Sequence, residues 1–182
     1  VFALSGAVGP IVGQNAGAAL YPRVRSTLTN AIVFNVLYVA LVCMILALCA
    51  KSIVSVFSAS AEAAELILFY TYFLAGSFAF NGMLFVANAS FNNLYHPHWA
   101  TGFNFARALL GTIPAVYYGA KWYGPRGVLA GEALGAVVFG VLALGGLVVL
   151  VRRLERQLPP STDSPLSDAA VAGVVENRGP PL

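Results

Sequence analysis

The chain has 182 residues, 59% of them hydrophobic and only 9% charged, with a mean hydropathy of +0.79; this excludes a soluble globular domain and makes it an integral membrane protein. Its net charge of +3 does not build a nucleic-acid surface, because the basic residues sit in twos and threes at the ends of apolar runs, where they set topology. Those runs are long and continuous rather than short and alternating, so the spans are helices and the fold class is all-α, a polytopic transmembrane bundle.

Val1 to Gly17 is apolar but too short for a complete span, and Gly6, Gly9, Gly13 and Gly17 recur at helical spacing. The pattern predicts the end of a closely packed helix, kinked at Pro10. No lysine-bearing phosphate loop is present around these glycines. The sequence starts at Val1, and Met44 and Met83 both lie inside apolar runs, so a fragment or a processed product is expected, with no signal-peptide pattern. Leu20 to Asn30 brings Arg23, Arg25 and a proline suited to a first helical turn. Ala31 to Phe57 then forms a span in which Asn35 and Tyr38 share a face. Cys43 and Cys49 sit about 120° apart on that helix, which does not favour a disulfide.

Ser58 to Glu65 reads as a short connector whose serines cap the next helix and whose Glu62 and Glu65 suit its N-terminal dipole. Glu65 to Asn92 is long enough to cross a bilayer. On a helix, Asn81, Asn88 and Asn92 fall within about 20° of one line, with Ser77 a turn before them. Amides cannot face lipid cheaply, so this face meets either other helices or a wet cavity. His96 and His98 flank Pro97 in the following loop. With no third ligand nearby they suit a polar interface loop anchored by Tyr95 and Trp99 rather than a metal site.

Trp99 to Ala120 makes another span, with Asn104 and Arg107 a turn apart and Pro114 as an expected kink. Lys121 to Gly127 is a tight turn, and Val128 to Val151 is the last span, carrying a stripe of Gly127, Gly131 and Gly135 beside Glu132. Residues 1–156 thus form the membrane unit, and 157–182, rich in Pro, Ser, Asp and Gly, reads as a disordered tail. If each run crosses once, one side collects Arg23, Arg25, Arg152, Arg153 and Arg156 and the other Lys51, Lys121 and Arg126. The first side, with the tail, is expected to be cytoplasmic.

Arg107 and Glu132 are the ionisable side chains placed well inside spans, each about 10 Å from its own helix end by the 1.5 Å rise. Each costs several kcal/mol unless paired or wet. Glu132 is therefore a candidate to carry a proton or hold a cation with Arg107 acting on it through charge; the alternatives are a structural ion pair or snorkelling towards the interfaces. No Ser, His and Asp set, paired carboxylates or metal cluster supports an enzyme, which leaves binding and movement.

Two stretches, SGAVGPIVGQNAGAALYPRVR at Ser5 to Arg25 and FNGMLFVANASFNNLYHPHWAT at Phe80 to Thr101, resemble the eighth and tenth helices, with their following loops, of the multidrug and toxic compound extrusion (MATE) family. GPRGVLAGEALG at Gly124 to Gly135 is similar to the start of that family's twelfth helix, and the likeness is to the DinF-like branch in particular. The resemblance implies an antiporter of two six-helix lobes in a bacterial-type inner membrane. It would export organic cations or other amphipathic compounds in exchange for protons or sodium, with no cofactor beyond that ion. Five helices, the first truncated, would make most of the C-terminal lobe, and the N-terminal lobe would be a missing partner. The coupling aspartate of the DinF-like branch lies on a first helix outside this sequence, and the tenth-helix acid of the NorM-like branch has no counterpart here. The resemblance makes Asn81 and Asn88 cavity-wall candidates, with Phe78 and Phe85 as aromatic surface for a cationic compound. Two alternatives stand beside it: a lipid-linked precursor flippase of the same superfamily, and a truncated, non-transporting membrane protein.

Overall fold

The computed structural model describes residues 2–157, so the expected tail lies outside the described residues from position 158 onward. Helix α1 is Phe2–Gly17 and α2 is Tyr21–Val56, with proline in its first turn. A third rod, α3, runs over Ala61–Asn93. The Ser60 hydroxyl caps it by accepting the Ala63 N–H at 3.3 Å, the expected use of a serine at this position.

Helical hydrogen bonding next runs over Pro97–Arg156, 60 residues. A straight rod of that length would measure about 90 Å, three times the hydrocarbon thickness. It is not straight. Gly124 has φ 58° and ψ −141°, a backbone state open in practice only to glycine, and Pro125 follows it. The chain therefore reverses here, separating α4 (97–123) from α5 (125–156). Gly119 lies on Gly127, Ala115 on Gly131, and Gly111 and Thr112 on Gly135. Numbers that fall on one helix as they rise on the other mark antiparallel neighbours, packed through the predicted small-residue stripe. Among the described residues this division gives five helices, and the all-α class is the one expected.

Two helices are locally unwound. Within α3, a π-helical turn at Tyr70–Leu74 and a 3-10 turn at Ala75–Ser77 precede the regular segment Phe78–Asn93. Within α4, a second π-helical segment, Arg107–Thr112, comes just before Pro114. Proline lacks an N–H and its ring crowds the preceding turn, so a widened turn absorbs the mismatch where a simple kink was predicted.

The core joins α1, α2, α3 and α5 through Val12, Val24, Phe91 and Leu147, all fully buried. Phe91 stacks on Phe103 at 5.7 Å between ring centroids. Trp99 packs against the same pair at 5.8 and 6.1 Å. Trp99 is therefore half-buried in the aromatic stack, whereas Tyr95 stands 90% exposed. In α1, Gly9 and Gly13 receive Asn93 of α3, while Gly6 and Gly17 face open space.

Arg25 pairs with Glu155 at one end of the bundle, and Arg126 pairs with Glu65 at the other. These contacts join the start of α2 to the end of α5, and the start of α3 to the start of α5. The basic groups thus sort to the two ends as the charge pattern predicts.

Candidate functional site

The interruptions in α3 lie before Phe78, so the regular helix after it keeps its phase. On that helix Phe78, Phe85, Asn92, Asn81 and Asn88 occupy a strip about 80° wide. Phe78 is 50% and Phe85 39% exposed, whereas Gly82, Leu84, Val86, Ala87, Ser90 and Phe91 on the remaining arc are buried. The amide and aromatic strip is thus the outward face of a helix whose other side packs the core. Asn81 and Asn88 are each half-buried within it.

What flanks the strip differs on its two sides. Towards α1 and α2, Phe78 and Phe85 border a cavity of about 430 Å³ together with Phe2, Tyr38 and Tyr70. Phe2 meets Phe85 edge to face at 6.0 Å. Towards α4, the Asn88 amide donates to Asn104 Oδ1 at 3.3 Å, and Arg107 lies one turn beyond Asn104. Asn88 Oδ1 and Arg107 Nε are both buried without a hydrogen-bond partner. One flank is apolar and aromatic; the other is polar and cationic.

Arg107 and Glu132 are not brought together. The α4 and α5 register sets Arg107 level with Phe139, seven residues from Glu132, or about 10 Å along the axis. Glu132 is exposed. Gly140 of α5 touches Phe80 of α3, and the parallel register of these two helices sets Glu132 level with the π-helical turn of α3. Tyr70, the first residue of that turn, also borders the aromatic cavity.

Sequence reasoning missed one functional-grade polar residue. Asn35 of α2 is 1% exposed; its amide donates to the Ala79 carbonyl at 2.8 Å, and its Oδ1 has no partner. Gly82 is the seat it fills, since a Cβ there would overlap the Asn35 side chain. The available signal was a lone amide in an apolar run facing a glycine on the next span. Tyr70 and Phe2 carried no comparable signal, because aromatic residues are common throughout such spans.

A family model described as MatE matches residues 1–117. The chain belongs to the MatE family. It is 33% identical over 149 residues to an uncharacterized 21 kDa protein in the iaaL 5' region of Pseudomonas savastanoi, covering 79% of this chain and 47% of that protein. It is 25% identical over 141 residues to a FAD transporter of Shewanella oneidensis, covering 78% of this chain and 31% of the relative. The chain thus spans less than half the length of these curated relatives. Its fold matches the bent form of the Vibrio cholerae MATE transporter VcmN with a TM-score of 0.78 at 17% identity, over 85% of this chain and 35% of that one. It also matches the inward-facing form of a multidrug resistance MATE family transporter, with a TM-score of 0.76 at 16% identity, over 85% and 36% of the two chains. At these identities the likeness establishes the fold. The MatE chain is thus a membrane-embedded helical bundle of transporter architecture.

Proposed function

We propose that this MatE chain acts as the C-terminal lobe of a two-lobe antiporter of the DinF-like branch, which exports organic cations and other amphipathic aromatic compounds in exchange for protons or sodium. The observation that carries this reading is the outward strip of Asn81, Asn88, Phe78 and Phe85 on a helix of membrane length. The Asn81 amide at this depth needs water or another polar surface, and a second lobe across a wet cavity supplies both. The match to about a third of each solved transporter supports a lobe-sized unit.

In this scheme the Phe78 and Phe85 rings hold the aromatic or cationic part of the cargo, and Asn81 and Asn88 bond its polar groups. Rocking of the two lobes moves the cargo between the two sides. Glu132, level with the π-helical turn of α3, carries the coupling ion. The end bearing Arg23, Arg25, Arg152, Arg153 and Arg156 faces the cytoplasm of a bacterial-type inner membrane.

The test is ethidium efflux from cells producing the native gene product. Changing Phe78 and Phe85 together to alanine removes two ring contacts of about 0.5–2 kcal/mol each, so efflux at limiting dye falls at least fivefold while membrane abundance holds. Efflux equal to wild type would refute the cavity assignment.

A further inference from the structure

Arg107 is a guanidinium at membrane depth without an ionic partner among the described residues. The acidic side chains described are Glu62, Glu65, Glu132 and Glu155. Glu65 and Glu155 are engaged by Arg126 and Arg25. Glu62 lies in the first turn of α3, at the far end of the bundle, and Glu132 is a full two turns away in register. A half-buried cation in this position is costly unless a counter-charge reaches it.

The neighbouring groups define what that counter-charge looks like. Asn104 already holds two partners, since its amide donates to the Ala100 carbonyl at 2.8 Å while its Oδ1 accepts from Asn88. What remains unmet is a donor on a cation, Arg107 Nε, and an acceptor on an amide, Asn88 Oδ1. A bare carboxylate satisfies the first and repels the second. An anionic group with a hydroxyl beside it satisfies both, because the oxyanion takes the guanidinium's hydrogen bonds and the hydroxyl donates to the amide. Across the strip, Phe78 and Phe85 offer a seat for an aromatic ring.

We infer that Arg107 and Asn88 form an anion subsite of the transport wall, selecting aromatic amphipathic compounds that carry a phosphate ester or carboxylate next to a hydroxyl. This rests on the reading of the strip as a transport wall and extends its cargo beyond organic cations. The relative named FAD transporter shows that cargo of this chemical character occurs among proteins similar to this chain.

The experiment compares riboflavin with flavin mononucleotide, which share a ring and a hydroxylated chain and differ by one phosphate. Binding is read by flavin fluorescence quenching on the native product in phosphatidylcholine vesicles. The mononucleotide binds at least tenfold more tightly than riboflavin; Arg107→Gln removes the difference, and Arg107→Lys keeps part of it. Asn88→Asp leaves the arginine in place but sets a carboxylate beside it, and brings the mononucleotide down to the riboflavin level. Equal binding of the two flavins by the wild type, binding of neither, or a preference that survives Arg107→Gln would each overturn the subsite. Loss of the preference when phosphatidylglycerol is added would assign the counter-charge to a lipid headgroup and overturn it as a cargo site. Ethidium efflux by the same product tests the wider reading separately: a flavin preference without efflux sinks export alone, and efflux without a flavin preference sinks the subsite alone.

Discussion

Replacing Gly131 with alanine tests the α4 and α5 hairpin at a point where backbone packs on backbone. A Cβ at Gly131 would stand 2.6 Å from the Ala115 carbonyl carbon and oxygen and 2.7 Å from the Val116 nitrogen. Ordinary contacts between such atoms are about 3.5–4.0 Å, so the helices must part by about 1 Å. The obstacle is backbone, which cannot rotate away as a side-chain end can. Overpacking of this kind costs about 1–3 kcal/mol. The intrinsic gain of alanine over glycine in a helix, about 0.5–1 kcal/mol, works the other way. Gly145 on the same helix provides the internal reference, since nothing lies within 4 Å of a Cβ built there. The helix-forming gain is common to both changes and cancels in their difference. Gly131→Ala is therefore expected to be less stable than Gly145→Ala by about 1–3 kcal/mol, measured by denaturant titration in mixed micelles followed by circular dichroism. Equal stability of the two variants would refute the hairpin register.

Three further outcomes follow from other contacts. Asn35→Ala loses the hydrogen bond to the Ala79 carbonyl and leaves a gap at Gly82, and should lower stability by about 0.5–2 kcal/mol in the same titration; no loss would mean the amide does not tie α2 to α3. In a background with Cys43 and Cys49 replaced by alanine, a cysteine at Asn81 should react with a water-soluble maleimide and one at buried Ala87 should not, and the reverse order would contradict the outward strip. Glu132→Gln removes an exposed charge with no ion-pair partner among the described residues, so folding stability should stay within about 0.5 kcal/mol. The same change should abolish the response of ethidium efflux to an imposed proton or sodium gradient, and gradient-driven efflux at the wild-type level would exclude Glu132 from coupling.

The parts of this fold legible in the sequence share a physical cause: each depends on residues close together in the chain. Gly127, Gly131 and Gly135 mark a packing stripe because small residues four apart put their bare faces on one side of a helix. Gly124 followed by Pro125 marks a reversal because positive φ and a missing N–H both end a helix. The Asn81 and Asn88 strip kept its predicted alignment because Phe78–Asn93 is unbroken. Had a π turn fallen between Asn81 and Asn88, its additional residue would have rotated one amide about 100° from the other, and periodicity alone could not have followed them.

What the sequence hid depends on register between helices. Arg107 and Glu132 looked like one ionic system when only depth was considered, since each sits about 10 Å inside its own end. The glycine contacts of the hairpin separate them and give each a different setting: Arg107 lies a turn beyond Asn104, the partner of an Asn88 amide whose oxygen lacks a donor, and Glu132 lies level with the π-helical turn of α3. The two charges therefore stand at different levels, Arg107 beside the polar amides and Glu132 exposed beside the π-helical turn. A single pair would neutralise itself and leave the wall uncharged. In the proposed scheme the separated arginine meets an anion and the glutamate a cation, so a structural ion pair and a two-ended binding surface make opposite predictions for the flavin and gradient measurements.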